Sequence, residues 1–152
     1  MRISDYINEK LIFLELEAKD KDSAIAAVVE KMSRANVFDN ASSFLKEVKG
    51  REQLGSTGIG KGVALPHART QHVKNIVVAF ARLKKGIDFQ SEDKEPVKLI
   101  FLLGTPLNSV GEYLKVLAKI SKIARNDKIR KSLVKAGSVE EVAEILKDED
   151  LE

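Results

Sequence analysis

Two stretches of the chain hold residue types that do chemistry. The first is Gly55 to Lys61 (GSTGIGK), which fits the phosphate-cradling pattern G-x-x-x-x-G-K. A nucleotide loop of that kind needs Ser or Thr after the lysine to hold magnesium, and a helix whose N-terminus faces the phosphates. Here Gly62 follows, then the β-prone VALP, and the later run IFLL leads into Gly104-Thr105-Pro106 with no acid. Nucleotide binding is therefore rejected, and glycine-shaped turns are left. The second stretch is Val63 to Arg69 (VALPHAR), centred on His67. Pro66 fixes its own φ and biases Leu65 to extended backbone, so the imidazole is held at the end of a short apolar strand beside the glycine loop. A neutral imidazole held in that way offers one nitrogen as a nucleophile while its other N–H is fixed by an acceptor. A covalent intermediate needs that geometry.

Composition narrows the other options. There is no cysteine, which excludes a disulfide framework, a thiolate nucleophile and sulfur-based metal sites. The second of the two histidines, His72, lies in a polar loop with no acid ligands nearby, so it reads as a surface residue and no metal site is expected. With 26 basic against 23 acidic residues, the charge is close to balance. Lys115, Lys119, Lys122, Arg125, Lys128, Arg130, Lys131 and Lys135 do cluster, but no aromatics interleave with them, and nucleic-acid binding is not expected. The start of the chain lacks a signal-peptide core and no apolar run reaches membrane-spanning length, so a cytoplasmic protein is expected.

The elements that must position these residues follow from periodicity. LIFLEL (11–16) reads as a strand. A helix over 21–35 buries Ile25, Val28, Val29 and Met32, and a second, capped by Asn40, carries Phe44, Leu45 and Val48 to about Glu52. The apolar runs 76–83 and 97–103 read as strands covered on both faces. The polar link between them is too short for a crossover helix, so they should be antiparallel neighbours. From Ser109 to Asn126, Tyr113, Leu114, Leu117, Ile120, Ile123 and Ala124 share a helical arc. Asp127 is a candidate cap for the next helix, with Ile129, Leu133 and Val134 as its face. Ser138 with Glu141 has capping-box spacing for a last helix carrying Val142, Ile145 and Leu146. The expected fold class is α/β (α+β), a mixed parallel/antiparallel β-sheet with helices on both faces, in a single domain over 1–152.

The run from Gly55 to Ala68 (GSTGIGKGVALPHA), with Arg51-Glu52 upstream, resembles the enzyme IIA domain of the fructose/mannitol and nitrogen-regulatory type from the phosphoenolpyruvate:sugar phosphotransferase system. The likeness continues through the Gly86-Ile87-Asp88-Phe89 turn, Leu102-Leu103-Gly104-Thr105-Pro106 and the helix Tyr113–Ile120. The resemblance implies a phosphocarrier without a cofactor. His67 matches the family's phosphorylated histidine, which accepts the group from HPr through Nε2 and passes it to a IIB partner. Arg51 matches the family's active-site arginine, suited to the planar phosphoryl oxygens of an in-line transfer. Ser56 and Thr57 can donate hydroxyl or backbone N–H bonds to that group or shape the turn, and Arg69 can touch the phosphoryl group or a partner's acid. Tyr113 stands where many members carry a second histidine; a phenol donates a hydrogen bond but cannot become cationic. The alternative reading is a nitrogen-regulatory or transporter-associated module whose partner binding follows the phosphorylation state of His67.

Overall fold

The computed structural model describes residues 2–149. After two short 3-10 turns, Ile3–Asp5 and Glu9–Leu11, the order is β1 (Ile12–Leu16), α1 (Lys21–Ser33), α2 (Ala41–Gln53), β2 (Gly58–Gly60), β3 (Val63–Ala64) and β4 (His67–Arg69). Then come β5 (Val77–Ile87), β6 (Val97–Thr105), α3 (Val110–Arg125), α4 (Asp127–Lys135) and α5 (Val139–Glu149). The sheet runs β1-β5-β6-β3-β2, with β4 also beside β6. β5 and β6 are antiparallel, with Phe80 opposite Phe101; β1 is parallel to β5, and β3 and β4 are parallel to β6. The sheet is mixed, as expected, and its central pair is the expected antiparallel one.

Strand alternation builds two cores. On one face Val78, Phe80, Leu99, Phe101 and Leu103 pack under α3, α4 and α5, with the Phe80 and Phe101 rings edge-on at 5.2 Å. On the other, Val77, Ala79, Ala81, Ile100 and Leu102 meet Ile25, Val28 and Met32 of α1 and Phe44 and Val48 of α2. Helices therefore cover both faces. At about 25 cal/mol per Å2, each large aliphatic side chain so buried contributes roughly 1.5–3 kcal/mol.

Local chemistry sets the element ends. Asp20 accepts from Ser23 N and the Ser23 hydroxyl accepts from Asp20 N, a reciprocal box that starts α1. Asn40 caps α2 through Ser43 N. The cap of α4 is Asn126, which accepts from Ile129 N, and not Asp127; Asp127 is already the first helical residue and pairs with Arg130. On α3 the buried stripe is Tyr113, Val116, Ile120, Ile123 and Ala124. Leu114 was expected inside but is 57% exposed, because it is turned about 100° from Tyr113 around the helix. Val134 likewise faces outward. Ser138 accepts from Glu141 N, while the Glu141 carboxylate reaches back to Gly137 N. Buried Arg82 donates to the carbonyls of Leu133, Val134 and Ala136, tying the end of α4 to the sheet, and to Glu15 at 3.3 Å. Glu15, with φ 55°, marks an irregularity in β1, whose register with β5 shifts between Phe13 and Leu16.

Candidate functional site

The site forms where the glycine loop, β4, the end of α2 and the start of α3 converge. β4 is parallel to the end of β6, with His67 opposite Leu103. The chain before it is pinned on both sides: Leu103 N donates to Pro66 O at 2.9 Å, and Leu65 N donates to Thr57 O at 2.9 Å. Proline cannot donate, so Pro66 contributes through its carbonyl alone. The His67 side chain folds back so that Nδ1 lies 2.7 Å from Leu65 O. A carbonyl only accepts, so Nδ1 carries the proton and Nε2 presents its lone pair. Burial pushes the His67 pKa below the ordinary histidine value, the Leu65 carbonyl opposes this, and the charge of Arg51 lowers it further while Glu52 raises it. The ring is neutral at pH 7 and half-buried, as a nucleophile requires.

Two guanidinium groups belong to the site, Arg51 acting on His67 and both acting on Tyr113. Arg51, in the last turn of α2, donates Nη1–H to Gly55 O at 2.9 Å, and Arg69, at the end of β4, donates Nη2–H to Leu107 O at 2.8 Å. Each carbonyl contact uses a small part of a five-donor fork, leaving donors for an incoming anion. Tyr113 closes the side, its ring centroid 5.8 Å from that of His67. Burial raises its pKa while Arg51 and Arg69 pull it down, so both cations act on the same spot. Its hydroxyl has no hydrogen-bond partner among the described residues and is free to donate.

Ser56 and Thr57 sit in the loop, with both hydroxyls engaged within the protein. The Ser56 hydroxyl donates to Phe89 O at 2.5 Å and accepts from Gly58 N. Thr57 donates its backbone N–H and its hydroxyl to the two oxygens of Glu52, at 2.8 and 2.5 Å. In this arrangement both residues shape the turn. Glu52 is the residue that the sequence reading left without a role: it is 5% exposed and also meets Lys21 Nζ at 3.4 Å. A clue was present, because a carboxylate in the last turn of a helix opposes the helix dipole and needs another reason to be there. That reason is the loop it holds. Gly62, at φ 82°, takes the left-handed turn that sends the chain into β3.

His72 lies outside this site. It is not the surface residue expected, since its side chain is 15% exposed and Nδ1 lies 2.6 Å from Asp39 Oδ1, joining the α1–α2 loop to the segment after β4. Among the described residues no group of three His, Asp or Glu side chains is placed to hold a metal ion, and no helix is long and apolar enough to cross a membrane.

The site thus brings a pinned neutral imidazole together with Arg51, Arg69 and Tyr113 on a two-faced mixed sheet. The chain belongs to the family described as "Phosphoenolpyruvate-dependent sugar phosphotransferase system, EIIA 2", whose profile matches residues 5–149. It is thus a phosphotransferase component of the EIIA kind. Among its relatives, the fructose-specific EIIA component of Haloferax volcanii is 33% identical over 90% of this chain and 89% of its own length. A nitrogen regulatory protein of Bradyrhizobium diazoefficiens is 35% identical over 88% of this chain and 86% of its own. Against the fructose-specific EIIABC component of Bacillus subtilis, 31% identical, the chain spans only 24% of the relative's length. In three dimensions it is similar to nitrogen regulatory protein IIA-Ntr from Neisseria meningitidis, with a TM-score of 0.89 and 35% identity over 95% of this chain and 98% of the other. The IIA mannitol fold from Escherichia coli, solved in a complex with phosphorylated IIB, superposes with a TM-score of 0.78 at 23% identity, covering 91% and 95%.

Proposed function

We propose that His67 is the phosphoryl acceptor of this EIIA domain and that residues 1–152 form one functional unit. The observation that carries the reading is the Nδ1–H to Leu65 carbonyl bond, which leaves the Nε2 lone pair to act beside the Arg51 charge. Nε2 attacks the phosphorus of a phosphohistidine on an HPr-type donor: the new N–P bond forms in line as the donor's N–P bond breaks, and the electron pair returns to the donor imidazole. Arg51 and Arg69 neutralise the equatorial oxygens, and the Tyr113 hydroxyl donates a further bond. In the second half-reaction a IIB thiolate attacks the same phosphorus and the Nε2 pair is restored. No cofactor takes part.

An apolar rim supports protein partners at this site. Leu54 (85% exposed) follows the end of α2 that carries Arg51, Leu107 accepts from Arg69 through its carbonyl, and Val110 and Leu114 lie on α3 with Tyr113. Exposed aliphatics rimming a cationic centre suit weak, transient docking of HPr and IIB surfaces. The setting is cytoplasmic, with a membrane approached only through a permease partner. A second reading, favoured by Tyr113 in place of a histidine and by the similarity to nitrogen regulatory proteins, is that the phosphorylation state of His67 controls binding of a regulated partner.

The test mixes the protein with phosphoenolpyruvate, enzyme I and HPr and measures acid-labile, alkali-stable phosphate. Wild type becomes labelled, His67→Ala does not, and Arg51→Ala is labelled more slowly, by a factor of at least ten. Equal labelling of wild type and His67→Ala would sink the proposal. Pull-downs of both phosphorylation states separate carrier from regulator.

A further inference from the structure

We propose that the cleft between the β3–β6 edge and α4 is a docking groove for an acidic peptide segment of a partner protein, one with carboxylates on either side of an apolar side chain. The cleft holds about 210 Å3. Five basic side chains surround it: Lys61 from the glycine loop, Lys98 from β6, and Arg130, Lys131 and Lys135 from α4. Its floor is apolar, made of Leu99 and Val134 with the bare backbone of Gly62.

Charge is the first argument. Like charges repel, and five cations converging on one cleft cost folding energy that an anionic partner relieves. Among the described residues only Asp127 answers them, pairing with Arg130 and lying 3.7 Å from Lys61 Nζ. Lys98, Lys131 and Lys135 have no carboxylate within ion-pair distance there. The floor is the second argument. A nucleic-acid backbone wants a track of cations with aromatic faces for its bases, and none lines this cleft. A small inorganic anion has no use for Leu99 and Val134, whereas an apolar side chain seated between carboxylates uses both the floor and the rim.

The groove is separate from the phosphoryl site. Leu99 pairs with Val63 and Leu103 with His67, so the two lie four residues apart along β6, about 13 Å at 3.3 Å per residue. The inference therefore stands independently of the acceptor role of His67.

The experiment measures fluorescence anisotropy of a labelled peptide with one leucine flanked on both sides by glutamates, at low and at physiological salt. Wild type binds, and K98E/K131E weakens binding by about tenfold or more. K115E/K122E, on the outward face of α3, changes it less than about twofold, and replacing the peptide's leucine by serine weakens binding severalfold. Lys131 is exposed on α4, so K131E alone gives the same reading if reversal at Lys98 disturbs β6. Phosphorylation of His67 is unchanged in these variants. Absence of binding at low salt overturns the proposal, as does equal loss in the α3 control or indifference to the leucine. An oligothymidylate that binds more tightly than the peptide and is lost with the same reversal overturns it in favour of nucleic acid.

Discussion

Replacing Glu52 tests whether the glycine loop is held by one buried carboxylate. Glu52 takes the Thr57 N–H and hydroxyl on separate oxygens, and Thr57 is itself buried. Glu52→Gln keeps the shape and one acceptor oxygen but turns an amide N–H toward the second Thr57 donor. One charge-assisted hydrogen bond is lost, about 1.5–3 kcal/mol. Glu52→Ala strands both Thr57 donors and removes the carboxylate that meets Lys21, which keeps its bond to Gln90, and the expected loss rises to about 3–5 kcal/mol. A domain of ordinary stability, roughly 5–15 kcal/mol, still folds with either change. Urea unfolding gives the first reading, with the midpoint lowered and the slope kept. The pH profile of phosphorylation gives the second. The Glu52 charge raises the His67 pKa, so the Gln variant moves the acidic limb of the profile to lower pH. A merely structural role moves stability alone. A Glu52→Gln protein within about 0.5 kcal/mol of wild type, with an unshifted profile, would refute the reasoning.

Three further outcomes follow from the same geometry. Because the folded-state pKa of His67 lies below the ordinary value of about 6.5, transfer should be flat above that pH and fall only on further acidification; removing the Arg51 charge moves the limb upward, readable by rate or by imidazole NMR. The same depressed pKa means that protonation favours the unfolded chain, so His67→Gln should lose less stability than wild type as pH drops below about 6.5. A Cβ at Gly58 would lie 2.1 Å from Ser91 Oγ, so Gly58→Ala should cost about 1–3 kcal/mol, with partial recovery in Gly58→Ala/Ser91→Ala.

Much of the frame was legible because it rests on local signals. The runs 76–83 and 97–103 declared a central pair, and Asp20 and Asn40 stand at helix starts that their side chains can cap. β2 and β4 were not legible as separate strands: each has three residues, too few for alternation, and exists because β3 pairs with β2 and β6 with β4. Leu114 and Val116 differ in burial because the sheet decides which arc of α3 turns inward, and hydrophobicity alone is silent on that. His67 was visible from Pro66 and the glycine loop, and its family resemblance agrees with the EIIA match. The anchoring by Glu52 depends on a contact across a turn that residue type does not announce.

The kink at Glu15 bears on how the molecule behaves in a crowded solution. β1 has β5 on one side only, and an unpaired strand edge is a template for addition of a stranger's strand. The left-handed residue there breaks the ladder in mid-strand, and Arg82 holds its carboxylate in place. A domain that docks protein partners, as proposed above, must show them an open face without offering a sticky border. Here the β1 border is spoiled by one residue, so strand addition at that edge is discouraged without altering the face around His67.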